Sequence, residues 1–146
     1  MADPFSFDFT VYWEDTDAGG IVYYANYLKF CERARTEWLR SAGFSQQRLL
    51  EEGTGFVVTQ VACKYLSSAR LDDRITVTCV PVKVRGLSLN VYQEVYNQRG
   101  EKLFEFECTL ACMDMKRGRP QKMPQQVRDY IKAGVPEVPP VFEVRL

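Results

Sequence analysis

A chain of 146 residues has enough material for one hydrophobic core and too little for two comfortable domains. Nineteen basic residues balance nineteen acidic ones and 46% of the chain is hydrophobic, which excludes a global electrostatic pull towards nucleic acid or anionic membrane and fits an ordinary globular domain. There is no histidine, so Ser-His-Asp catalysis, Cys-His catalysis and imidazole metal ligation are excluded as well.

The first element is a strand. From Phe5 to Trp13 apolar and mostly polar residues alternate, which predicts a half-buried strand with its odd positions facing the core. The lead, Met-Ala-Asp-Pro-Phe, lacks the basic start and apolar centre of a signal peptide, and no apolar run is long enough to span a bilayer. A cytoplasmic protein is expected. Glu14 to Gly20 then interrupts the pattern with three acids and two glycines. From about Ala25 the period changes. Tyr27, Phe30, Cys31, Ala34, Trp38 and Ala42 share one face of a long helix, with Gly43 as its C-terminal cap. Arg33 and Glu37 lie off that face at i, i+4 spacing, which predicts a surface ion pair.

Ser45 to Gly53 predicts a short second helix with Ser45 as cap and Gly53 as stop. Four strands follow, roughly Phe56 to Leu66, Arg74 to Val84, Ser88 to Tyr96 and Leu103 to Met115. In the second of these, Ile75, Val77 and Cys79 hold one face and Val80, Val82 and Val84 the other, a phase change beside Pro81 that predicts a bulge or an edge. Arg85-Gly86 and Asn97 to Gly100 are turn signals, so neighbouring strands should pair as antiparallel hairpins. Lys116 to Pro120 is expected to leave the sheet. Pro124 should open a last short helix carrying Val127, Tyr130 and Ile131 and closed by Gly134, before an irregular tail from Val135 to Leu146. One strand, one long helix and four strands make an α+β fold, an antiparallel five-stranded sheet wrapped around one central helix. The opposite face of that sheet stays bare unless a second chain covers it, so a dimer is expected. The five cysteines, odd in number and without a C-x-x-C pair, are expected to be reduced, buried small hydrophobes.

With histidine gone, chemistry falls to carboxylates, backbone amides, hydroxyls or a thiol. Glu14, Asp15 and Asp17, followed by Gly19 and Gly20, stand just ahead of the long helix and read in two ways. Asp and Gly shape turns and cap helices. Equally, a carboxylate beside a helix N-terminus, whose unpaired N–H groups suit a developing oxyanion, is sufficient to hydrolyse an activated carbonyl with a good leaving group. Asp15 to Gly20 also matches the opening of a calcium loop, but Gly19 and Asn26 stand where that loop needs ligands. No phosphate-binding loop or dinucleotide motif is present.

The run from Tyr12 to Tyr27, with its Glu14-Asp15-Thr16-Asp17-Ala18-Gly19-Gly20 core, resembles the signature of the hotdog-fold acyl-CoA thioesterases. More narrowly, it is similar to the 4-hydroxybenzoyl-CoA thioesterase family and its branch of bacterial acyl-CoA thioesterases associated with the Tol-Pal gene cluster. The likeness continues through Phe30 to Glu37, Ala69 to Asp73 and Arg85 to Leu89, and covers nearly the whole chain to about Pro124. It implies a single hotdog domain assembled as dimers or dimers of dimers. It also implies that Asp17 is the catalytic carboxylate, acting as nucleophile on the thioester or as general base for water. The backbone N–H at Tyr24 would polarise the carbonyl. Gly19, Gly20, Val22 and Tyr65 are implied to line the substrate, and Arg85, Ser88 and Arg70 to meet the coenzyme phosphates. Asp15 is expected to shape the turn. Tyr24 stands where the Tol-Pal branch usually has histidine. The implied substrate is acyl-CoA, with an acyl carrier protein thioester as the alternative. A non-catalytic module binding an acyl thioester or a protein is the reading from another class. No metal, cofactor or nucleic acid is expected.

Overall fold

The computed structural model describes residues 4–143; the last three residues of the expected tail lie outside them. The elements run β1 (Phe5–Thr10), α1 (Asn26–Ser41), α2 (Gln46–Glu51), β2 (Thr54–Tyr65), β3 (Arg74–Val84), β4 (Ser88–Tyr96), β5 (Lys102–Asp114), β6 (Arg119–Pro120) and α3 (Gln125–Ala133). The sheet has the order β1-β3-β4-β5-β2, and every pair in it is antiparallel. β6 is an addition to the five expected strands. A tight turn after β5 folds Arg119 and Pro120 back against Asp114 and Met113, in the lane that β4 leaves open beyond Ser88.

α1 lies on the inner face of this sheet because its apolar stripe demands it. Tyr27, Phe30, Cys31, Ala34, Trp38 and Leu39 are buried against inward side chains such as Ile75, Val77, Leu89, Val91, Phe104 and Phe106. Gly43, at φ +89°, ends the helix as expected, donating its N–H to Arg40 O at 2.9 Å. One polar side chain interrupts the apolar interface. Gln93, fully buried, donates through Nε2 to Cys31 O at 2.9 Å and to Thr78 O at 3.2 Å. It accepts from Arg35 at 3.1 Å. A buried amide is tolerable only when satisfied in this way, and here it ties the helix to the sheet. The phase change at Pro81 is a register shift in the β3–β4 ladder. Among the described residues β1 pairs with β3 only as far as Cys79, so Pro81 lies beyond that ladder.

Arg119 and Pro120 return to the sheet, against the expectation that Lys116 to Pro120 leaves it, and three further sequence expectations need correction. β1 stops at Thr10, and Trp13 does not continue its inward row. Asp15 Oδ2 accepts the Tyr12 N–H at 2.8 Å and Asp15 N–H donates to Tyr12 O at 3.0 Å. That winds Trp13–Asp15 into a single 3-10 turn and leaves the indole 80% exposed. Arg33 does not pair with Glu37. Its guanidinium lies 5.9 Å from the ring centres of both Phe9 and Phe30, a cation–π site, and Glu37 pairs with Arg40 instead. Cys63 is exposed, while the other four cysteines are buried, because β2 is the sheet edge that α1 does not cover.

The aromatic layer under the N-terminus of α1 should dominate stability. Phe104 is fully buried and stacks on Tyr27 at 5.0 Å. Phe104→Ala is expected to cost about 3–5 kcal/mol in urea unfolding, whereas Val138→Ser in the exposed tail should change it by less than about 0.5 kcal/mol.

Candidate active site

The acidic segment folds as a hairpin. Asp17 N–H donates to Ile21 O at 2.9 Å, Gly20 N–H returns to Asp17 O at 3.0 Å and Tyr23 N–H donates to Asp15 O at 3.0 Å. Thr16 pairs with Val22 between them. Gly20 closes the turn at φ +79°, a conformation side chains avoid, so glycine is needed there. Gly19 N–H donates to Asp17 Oδ1 at 2.8 Å, and a Cβ on Gly19 would sit 3.1 Å from that oxygen. The turn reading and the catalytic reading therefore meet in one residue. One oxygen of the Asp17 carboxylate holds the turn. Oδ2 has no hydrogen-bond partner among the described residues, and the side chain is exposed. Asp15 is only 7% exposed and its carboxylate is occupied by Tyr12, the turn-shaping part expected of it.

The hairpin is tied to the sheet from below. Val22, buried in the core, donates its N–H to Ala69 O at 2.9 Å, and Ile21 pairs with Arg70. The Ala69 N–H in turn donates to Tyr27 Oη at 3.0 Å. Buried Asp73 holds the 69–73 loop by accepting from the Arg70 N–H at 2.9 Å and from Gln98 Nε2 at 3.0 Å. The hairpin is tied to the helix from the side. Asn26 Nδ2 donates to Asp15 O at 2.9 Å, Asn26 N–H donates to Tyr23 O at 2.8 Å, and Tyr65 Oη donates to Tyr24 O at 2.8 Å. No acceptor among the described residues takes the Tyr24 N–H. It is a free donor at the positive end of α1.

Asp17, Gly19, Gly20, Tyr24, Tyr65 and Arg70 thus gather at one end of the sheet. Val22 joins them only through its backbone, since its side chain is in the core. Arg85 and Ser88 do not join them. Ser88 pairs with Ala111 of β5, while Tyr65 pairs with Phe104, and seven residues of strand span about 24 Å. Arg85 is occupied locally, donating to Asn90 Oδ1 at 2.7 Å. Arg70, whose backbone pairs with Ile21, is a cation beside the hairpin.

Asn26 and the hydroxyl of Tyr27 are contributions the sequence reading missed. The one available signal was an asparagine at the helix start, a position that invites a capping reading, yet its side chain reaches back eleven residues. The four buried cysteines make poor nucleophiles. Burial pushes Cys31, Cys79, Cys108 and Cys112 up, away from the reactive thiolate. Among the described residues no group of three or more Cys, Asp or Glu side chains could hold a metal ion, and no helix is long and apolar enough to cross a membrane.

Known proteins share both the sequence and the fold. The sequence profile of the thioesterase-like superfamily matches residues 11–131. An acyl-CoA thioester hydrolase, YbgC, from Escherichia coli O6:H1 is 43% identical over 117 residues, 80% of this chain and 87% of that protein. The acyl-CoA thioesterase YbgC of Haemophilus influenzae is 42% identical over 125 residues, 85% of this chain and 91% of that one. Among solved structures, a 1,4-dihydroxy-2-naphthoyl-CoA thioesterase from Synechocystis superposes with a TM-score of 0.83 at 21% identity, over 89% of this chain and 96% of its own. A Staphylococcus aureus protein solved in complex with CoA superposes with a TM-score of 0.85 at 18% identity, over 99% and 96%. The hairpin, the helix it abuts and the sheet curled around both are the hotdog arrangement, and the chain belongs to the thioesterase-like superfamily.

Proposed function

We propose that this chain is an acyl-CoA thioesterase whose reacting groups are the Asp17 carboxylate and the Tyr24 N–H. One observation carries the reading: an exposed carboxylate with one oxygen anchored and one free, on a hairpin hydrogen-bonded to a helix start that offers an unused N–H donor. The carboxylate attacks the thioester carbonyl carbon directly or takes a proton from an attacking water. Either route builds negative charge on the carbonyl oxygen, which the Tyr24 N–H and the helix dipole stabilise. The C–S bond then breaks and the thiolate leaves without a strong general acid, which matches a site with no imidazole; in the direct route water then hydrolyses the acyl–Asp17 anhydride, releasing the carboxylic acid and restoring the carboxylate. Relatives named as acyl-CoA thioesterases at 42% and 43% identity support the substrate class. The proposed setting is the cytoplasm, where five unpaired thiols persist.

The complete site needs a second copy. Among the described residues β2 pairs with β5 alone, and its other edge runs twelve residues with Val58, Val61 and Tyr65 exposed, a ready template for strand addition. Twofold antiparallel pairing through that edge sets the Tyr65 end of one β2 beside the Thr54 end of the other. The second copy's Ser88, on β4, and Arg85 just before it then lie three strands, about 14 Å, beyond that edge, towards the end where the hairpin stands. The phosphate contacts that one chain cannot make would come from its partner.

Two measurements check this. Free thiol released from short, long and aromatic acyl-CoAs should fall about 100-fold or more in Asp17→Asn; equal rates would remove Asp17 from its role. Asp17→Asn and Arg85→Ala chains, each impaired alone at low substrate, should recover roughly a quarter of the native rate when refolded together, because half the dimers are mixed and each mixed dimer holds one intact site. No recovery would mean that each chain works with its own arginine.

A further inference from the structure

Resting on that reading, we infer that Asn26 and Tyr65 are positioning residues, which aim the Tyr24 N–H by clamping the two peptide units on either side of Tyr24. No cis peptide bond occurs among the described residues, and in a trans unit the C=O and N–H point in opposite directions. The unit that carries the Tyr24 N–H also carries the Tyr23 C=O. That carbonyl is turned into the helix to accept from the Asn26 N–H at 2.8 Å, so the Tyr24 N–H is turned out of the helix. The following unit carries the Tyr24 C=O, fixed from the sheet by Tyr65 Oη at 2.8 Å. A rotation of either unit breaks one of these bonds.

The clamp has an anchor at each end. On the hairpin side, Asp15 O accepts from both Tyr23 N–H and Asn26 Nδ2, at 3.0 and 2.9 Å. The backbone bond alone is a pivot; the side-chain bond added to it removes the swivel between hairpin and helix. On the sheet side, the Tyr65 ring is wedged among Phe104 at 4.9 Å, Tyr27 at 5.6 Å and Tyr24 at 6.3 Å. Burial, then the neighbouring Cys63, pushes the Tyr65 phenol up to about 12, so it keeps its proton and remains a donor through neutral and moderately alkaline pH. Tyr65, implied by family resemblance to touch substrate, already spends its proton on the protein. An oxyanion donor works by being fixed before the charge appears, and an error of about 1 Å in its position is enough to cost on the order of 100-fold in rate.

The test uses the 146-residue chain with an acyl-CoA it turns over and three variants: Tyr65→Phe, Asn26→Ala and Asp17→Asn. Tyr65→Phe keeps the ring and its packing, so it carries the test even if Asn26→Ala folds poorly. Each clamp variant should lower kcat about 10-fold or more with KM within about twofold of native, at an unchanged thermal midpoint for Tyr65→Phe. Infrared difference spectra supply a readout that a purely structural role would not move. In Asp17→Asn protein bound to acyl-CoA labelled with carbon-13 at the carbonyl, the stretch should shift to lower frequency on binding, and adding Tyr65→Phe should shrink that shift. Native kcat in Tyr65→Phe, with Asp17→Asn inactive, overturns the clamp and leaves the thioesterase reading standing. Full turnover by Asp17→Asn overturns that reading, and the clamp with it.

Discussion

Two donors, the backbone N–H of Tyr23 in the hairpin and the side-chain Nδ2 of Asn26 at the start of the long helix, converge on the carbonyl oxygen of Asp15. The rest of the site depends on this shared acceptor. It closes the hairpin whose tip carries Asp17, and it fixes where α1 begins and hence where its free N–H donors lie. Asp15 can serve as this hub because its own carboxylate is buried on the Tyr12 N–H, which winds the preceding turn and sets the carbonyl's direction. Removing the hub would leave Asp17 and the helix terminus as separate features. A carboxylate and an oxyanion donor that are not held relative to one another supply little catalysis.

The same economy explains the composition. A chain without histidine has no side chain whose ordinary protonation range spans neutral pH, so it is poorly suited to protonating an amine leaving group. A thioester removes the need, because the thiolate is a weak base. Four buried thiols whose burial disfavours the anion contribute packing and no nucleophile. The proposed mechanism draws instead on the exposed Asp17 carboxylate and the Tyr24 amide ahead of the helix. Gly19 and Gly20 serve that pair: one donates an N–H to the carboxylate, and the other takes the positive φ that closes the turn.

Much of the fold was legible because it is local and periodic. The stripe from Tyr27 to Trp38, the stop at Gly43 and the phase change at Pro81 follow from spacing alone, and the structure reproduces each. The misses share a cause, which is that spacing says nothing about competition. Trp13 left the β1 row because Asp15 offered the Tyr12 backbone a better arrangement than another strand residue. Arg33 chose two aromatic faces over Glu37. Cys63 is exposed because β2 is an uncovered edge, a fact of strand order that no pattern within β2 reveals. The site shows the same division. Asp17, Gly19, Gly20 and Tyr24 are contiguous in sequence and come together. Arg70 and Tyr65 arrive by pairing, and Arg85 and Ser88 stand at the wrong end of the sheet until a second copy is considered. Asn26 was invisible because its partner is a backbone carbonyl, which every residue possesses.

The proposed catalytic centre belongs to one hairpin and one helix end, and the proposed binding site to two chains. The most direct measurement of both is a crystal structure of the Asp17→Asn protein holding an intact acyl-CoA. The thioester oxygen is predicted to lie about 2.7–3.1 Å from the Tyr24 nitrogen, with the carbonyl carbon facing residue 17 and the coenzyme phosphates against Arg85 of a second copy. A thioester bound away from the hairpin, or a coenzyme held wholly by the chain that supplies residue 17, would contradict it.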